Sequence, residues 1–226
     1  MVDRQQPGVY LVRHAQSANN AQADEFRVCD PGITEIGRKQ AAAAAEFFRD
    51  LEFQTLVTSG FRRALQTAAF LSTVTGTCPE VVVGMHEHGG CFDGWNESNY
   101  AGRPGMTAEE ISAEFGPVRL PQDFPPGGWW QSRPRESHPQ SDQRARAMSE
   151  WLGQRISQAD SSIVCVTHAD FLSKLLLSML GDPIRKEPGF CDLKNCGWTH
   201  LVWSSSGWRL VQLNQTDYLP NELRTS

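Results

Sequence analysis

Two short runs, Val9-Tyr10-Leu11-Val12 and Ile163-Val164-Cys165-Val166, are apolar at every position, and each breaks on a pair ending in histidine, Arg13-His14 and Thr167-His168. A strand wetted on one face alternates apolar and polar residues. An uninterrupted apolar run is instead a strand buried on both faces, as in a parallel sheet covered by helices. Helical patterns stand between such runs. Thr34 is placed to cap a helix running through Ala41–Ala45 to Phe47 and Phe48, Thr55–Thr58 reads as a strand, and residues 62–75 repeat apolar positions at helical spacing before Gly76. Val81–Val83 reads as a third strand. Ser141–Ala159 and the segment after His168 read as amphipathic helices, and His200–Trp203 with Trp208–Leu213 as a closing hairpin. The expected fold is a three-layer α/β/α sandwich around a mostly parallel sheet, formed by residues 1–226 as a single domain.

Residues 85–140 break this rhythm. They hold seven of the thirteen prolines and one clear helical start, the capping pattern Thr107-x-x-Glu110. Phe92, Trp95, Tyr100, Phe124, Trp129 and Trp130 give the segment too much apolar area for disorder, so it reads as an ordered lid insertion.

The chain carries 21 Lys and Arg against 26 Asp and Glu, a net charge of −5, which argues against a broad nucleic-acid or anionic-membrane surface. No apolar run reaches the length of a membrane span, and Met1–Gly8 lacks the apolar core of a secretory signal. The six cysteines include no CxxC pair. A cytoplasmic protein with reduced thiols is the expectation.

Against that acidic background, three strand ends bring Arg13, His14, Arg62, Arg63 and His168 to one edge. Ligands of parallel α/β sheets bind at that edge, and arginine forks suit a phosphate dianion. Four ordered blocks, Leu-Val-Arg13-His14-Ala-Gln-Ser17-Ala-Asn-Asn20, Asp30-Pro-Gly-Ile-Thr34-Glu-Ile-Gly37, Thr58-Ser59-Gly-Phe-Arg62-Arg63-Ala-Leu-Gln66-Thr67 and Val-Thr167-His168-Ala, resemble the histidine phosphatase superfamily, which includes the phosphoglycerate mutases. The resemblance implies that His14 is the nucleophile, that Arg13, Arg62 and His168 hold the phosphoryl oxygens, and that Asn20 contacts phosphate. Ala15-Gln16 and Gly60-Phe61 depart from the mutases' usual Gly-Glu and Pro-Leu, without removing a catalytic group.

The chemistry is coherent. A histidine attacks phosphorus as neutral imidazole, and neighbouring arginines disfavour its protonation while stabilising the equatorial oxygens. Amides of the helix beginning at Ala169 add donors for the phosphoryl group. No metal or cofactor is needed. Two glutamates compete as general acid: Glu87, directly after the third strand, and Glu97, ten residues later in a locally mutase-like Trp95-Asn-Glu97-Ser-Asn-Tyr100. Glu87 is preferred because its distance from the strand end fixes its reach. His86-x-His88 is compatible with a metal pair lacking its third ligand, or with residues shaping the pocket mouth. Trp129-Trp130 is either lid core or an apolar wall against substrate, and Arg133, Arg135 and Glu136 read by default as solvated loop charges, with contact to polar substrate groups as the alternative.

The reading is therefore metal-independent hydrolysis of a small phosphorylated molecule through phosphohistidine. A phosphoglycerate-type mutase and a non-catalytic phospho-ligand module are the alternatives. Substrate identity and the choice between monomer and homodimer stay open.

Overall fold

The computed structural model describes residues 7–96 and 98–226. Its strands are β1 (Val9–Arg13), β2 (Phe53–Thr58), β3 (Pro79–Val81), β4 (Phe92–Asp93), β5 (Ala101–Gly102), β6 (Ser162–Thr167), β7 (Trp198–Ser204) and β8 (Gly207–Gln215). Its helices are α1 (Glu35–Phe48), α2 (Arg62–Thr75), α3 (Ala108–Phe115), α4 (His138–Ser157) and α5 (Ala169–Leu180). Six strands form one sheet in the order β3-β2-β6-β1-β7-β8. β1, β2, β3 and β6 run parallel, and the β7–β8 hairpin is antiparallel beside β1.

The two-sided burial of the apolar runs is visible residue by residue. Val9 and Leu11 of β1 face a core shared with α4 and α5, through Leu152, Leu172 and Leu175. Tyr10 and Val12 face the opposite core, shared with α1 and α2 through Ala44, Phe48 and Ala68. The helix after β1 thus lies on one face of the sheet and the helix after β6 on the other. Their strands are neighbours, so the chain departs in opposite directions at their carboxyl ends and leaves a crevice there.

Helix ends follow local chemistry. The Gly37 amide donates to Thr34 Oγ1 at 3.0 Å, and Gly76 closes α2 at φ +72°. Several strand ends shift by one or two residues, and two boundaries that bear on the site differ from expectation. α4 begins at His138, because Ser137 and Gln140 form a capping box with Pro139 in the first turn. β3 ends at Val81 rather than Val83. The chain there leaves the sheet edge in a short 3₁₀ turn, Val83–Met85, whose Met85 carbonyl accepts from Thr167 Oγ1 at 2.9 Å. This turn aims the following residues, His86 and Glu87, across the ends of β1 and β6.

The segment 85–140 has its own small core. Trp129, Trp130, Cys91, Met106 and Ile111 pack with Phe61 and Leu65 of the main body. Glycines make room for the indoles. A Cβ at Gly60 would lie 2.8 Å from the Trp129 ring, and one at Gly90, where φ is +79°, 2.3 Å from Trp130. Trp129 is fully buried and Trp130 nearly so. The wall-against-substrate alternative for these two residues is therefore corrected: neither reaches the cavity described below. Trp129→Ala is expected to cost about 3–5 kcal/mol of stability, measured by urea unfolding.

Candidate active site

At the crevice lies a cavity of about 340 Å³ whose floor includes Arg13, His14, Arg63 and Glu87. Arg13 ends β1, and His14 is the first residue beyond it, held against β6 by its amide, which donates to the Thr167 carbonyl at 2.9 Å. The Asn195 side chain donates to the His14 carbonyl at 3.1 Å. The ring is fixed at both nitrogens. Nδ1 faces the Ala15 carbonyl at 2.7 Å, so it carries the proton, and the Arg63 Nε–H donates to Nε2 at 3.1 Å. The unprotonated nitrogen, whose lone pair can act as the nucleophile, is therefore Nε2, covered here by Arg63. Burial, then Arg63, then Arg13 push the pKa of His14 well below its ordinary value, so the imidazole is neutral.

Sequence reasoning chose Arg62 as the phosphate-binding arginine of this helix, and the structure corrects it. Arg62 leaves the site, 40% exposed at its side chain, and pairs with Glu114 at 2.7 Å. Arg63, nearly buried, points back along the sheet edge onto His14. Successive helical residues differ by about 100°, so only one of the two can face the crevice. Thr67, one turn later on the Arg63 face, is buried and accepts from the Ala15 amide at 3.0 Å. The burial of Thr67 one turn past Arg63 marks the inward face of the helix, and it is visible only in the folded chain. The helix start tolerates two arginines because Asp30 accepts from the Arg62 amide at 2.8 Å and lies 4.0 Å from the Arg63 guanidinium. Burial nevertheless raises the Asp30 carboxyl to about 6. Arg63→Met is expected to lower kcat/KM by about 10²–10³-fold, as for loss of one oxyanion donor, whereas Arg62→Met changes it little. Steady-state assays of both variants check the assignment.

His168 is fully buried beside His14, with ring centroids 5.0 Å apart, and its Nε2 lies 2.7 Å from Ser59 Oγ. Burial and then Arg63 hold it neutral as well. Ala169, at the start of α5, lines the cavity, as does Asn20. Asn20 is oriented by Ser17, whose amide donates to its Oδ1 at 3.1 Å.

Glu87 is half-buried at the crevice, and its Oε1 accepts from the amides of His88 at 2.8 Å and Phe171 at 2.9 Å. Burial, reinforced by Asp170, raises its pKa against the opposing pull of Arg63. A carboxyl whose pKa is raised, beside a neutral imidazole, has the properties of a general acid. Glu97, the competing glutamate, lies outside the described residues.

The loop carrying Glu87 is braced by residues without any local sequence signal. Arg144 of α4 donates to the carbonyls of Gly84 and His86 at 2.8 and 2.9 Å and pairs with Glu136 at 2.6 Å. Burial acts to raise Glu136, yet its bonds to Arg144 hold it well below the carboxylate range. His86 and His88 each stand 3.8 Å from Glu136. Burial pushes His86 down to about 3. Among the described residues no group of three or more His, Cys, Asp or Glu side chains converges to hold a metal ion. The histidine pair instead packs around the braced loop, with His88 stacked on His138.

The family model of the histidine phosphatase superfamily (branch 1) matches residues 9–216. The chain belongs to this superfamily. It is 28% identical to a glucosyl-3-phosphoglycerate phosphatase of Mycobacterium tuberculosis, across 94% of this chain and 96% of the relative. A probable phosphoglycerate mutase of Photorhabdus laumondii is also 28% identical, over 88% of this chain and 89% of its own. Among solved structures, an Entamoeba histolytica phosphoserine phosphatase variant bound to phosphoserine superposes with a TM-score of 0.63 at 21% identity, covering 95% of this chain and all of that one. At that identity it supports the fold. A named phosphatase and a named mutase thus both match over most of their length. No helix among the described residues is long and apolar enough to cross a membrane.

Proposed function

We propose that the protein hydrolyses a small phosphate monoester in two half-reactions on His14, with no metal ion required. Nε2 of His14 attacks phosphorus, the bond from phosphorus to the alcohol oxygen breaks, and the Glu87 carboxyl proton passes to the departing alcohol. Water then attacks the phosphohistidine. Glu87, now ionised, accepts the water proton, and the phosphorus–nitrogen bond breaks to release inorganic phosphate. Arg13 and Arg63 balance charge on the equatorial oxygens, which is where such transfers are stabilised. As substrate arrives, the Arg63 N–H that faces Nε2 turns to a phosphoryl oxygen and uncovers the lone pair.

The observation that carries this reading is the fixed tautomer of His14, with Nδ1 committed to Ala15 and Nε2 facing Arg63 in the cavity floor. The insertion 85–140 then acts as cover and contributes the acid. The substrates named for the relatives, glucosyl-3-phosphoglycerate and phosphoserine, fit the same class of small phosphomonoester. A second reading, transfer of the phosphoryl group back to substrate, is favoured by the mutase-named relative. Phosphate release from p-nitrophenyl phosphate without bisphosphoglycerate separates the two. Steady release supports the hydrolase, and transfer that depends on bisphosphoglycerate with negligible release sinks it.

A further inference from the structure

Resting on that reading, we propose that Arg135 forms a second anion seat in the cavity, and that the preferred substrates carry a carboxylate on the organic side of the phosphate ester. Arg135 lines the same cavity as His14 and Glu87. Its seat is built. The guanidinium carbon lies 4.7 Å from the centroid of Tyr100 and 5.3 Å from that of Phe92, both on or beside the β4–β5 hairpin. Below it runs Gly89, whose carbonyl accepts from the Glu136 amide at 3.0 Å. A Cβ at Gly89, where φ is +93°, would stand 3.2 Å from Arg135 Nε and 2.7 Å from the Phe92 ring, so only a glycine leaves the arginine this path across the acid loop.

The neighbouring arginines are already matched. Arg13 and Arg63 answer the phosphoryl dianion. Arg27, at the cavity mouth, pairs with Asp24 at 2.9 Å. Arg144 pairs with Glu136, and Arg103 with Asp93. Arg135 has no ion-pair partner among the described residues, and its buried Nε has no hydrogen-bond acceptor. A buried donor left without an acceptor is unfavourable until a ligand supplies one. A planar fork packed against Tyr100 and Phe92, whose rings meet edge to face at 4.9 Å, offers its free edge to one planar, singly charged group, which a carboxylate is. The cavity volume, at the small end of the roughly 300–1,000 Å³ range for ligand pockets, limits the span between the two anions to a small metabolite.

The test uses matched substrates differing at the carboxylate: O-phosphoserine against O-phosphoethanolamine, and 3-phosphoglycerate against glycerol 3-phosphate. Wild-type kcat/KM should favour the carboxylate member of each pair by about 10- to 100-fold, the scale of one charge-assisted pair. Arg135→Met should bring both ratios near unity, chiefly through KM of the acidic substrates, and Arg135→Lys should keep part of the preference. No wild-type preference, or ratios unchanged in Arg135→Met, overturns the seat while His14-dependent turnover stands. Absence of phosphate release from all four substrates and from p-nitrophenyl phosphate overturns the hydrolase reading and the seat with it.

Discussion

Glu87→Gln is expected to lower kcat for an alkyl phosphate by about 10²–10⁴-fold, the usual worth of a positioned general acid–base group. Glutamine keeps the shape and still offers an oxygen to the His88 and Phe171 amides, so the loop remains in place while the proton is lost. The effect depends on the leaving group. p-Nitrophenolate departs without protonation, so phosphorylation of the variant should stay rapid with p-nitrophenyl phosphate. Water attack still lacks its base. Stopped-flow absorbance should then show one equivalent of nitrophenolate released in a burst, followed by slow turnover. The pH dependence has a fixed sign. The first step needs the protonated form of Glu87, so single-turnover phosphorylation by an alkyl phosphate falls as pH rises through its raised pKa. Glu87→Gln should abolish this alkaline fall. Equal slowing with both leaving groups and no burst would remove Glu87 from the acid role.

His14→Ala is expected to remove the reaction altogether, leaving turnover at or near background and no covalent label from ³²P-labelled substrate. No neighbour can substitute. His168 is neutral and buried, but its Nε2 is committed to Ser59 at 2.7 Å, and it does not line the cavity. The variant should still bind phosphate, because Arg13, Arg63 and the start of α5 stay in place. Inorganic phosphate therefore raises its melting temperature by mass action, which separates a lost nucleophile from a lost fold. Turnover retained by His14→Ala would point to a different nucleophile.

The parts of this site carried by strand ends were legible because the physics is local. An apolar run buried on both faces has to end at the sheet edge, and Arg13-His14 and Thr167-His168 follow such runs directly. The position of Glu87 at the crevice was legible for a related reason, since it follows β3, the edge parallel strand, at the length of one short turn. The choice between Arg62 and Arg63 was not, because adjacent residues at a helix start differ only in phase, and phase depends on where the first turn closes. Here Phe61 is the N-cap, and that places Arg63 inward. Asn195 and Arg144 lie 181 and 58 or more residues from the backbone they hold, at His14 and at the Glu87 loop, and no periodicity reports such contacts. The irregular segment 85–140 was legible as ordered from its aromatic content. Which aromatics fill its core and which line the cavity followed only from its folded path: Trp129 and Trp130 went to the core, and Phe92, Trp95 and Tyr100 to the wall.

The central claim, a phosphoryl group carried on His14, is tested most directly in Glu87→Gln, where the second half-reaction is slowed. Rapid quench with ³²P-labelled substrate, alkaline denaturation and peptide mapping should recover close to one equivalent of label per chain. That label should be stable to base, labile to acid and confined to the peptide containing His14. Label on another residue, or no label during a demonstrated burst, would contradict the account.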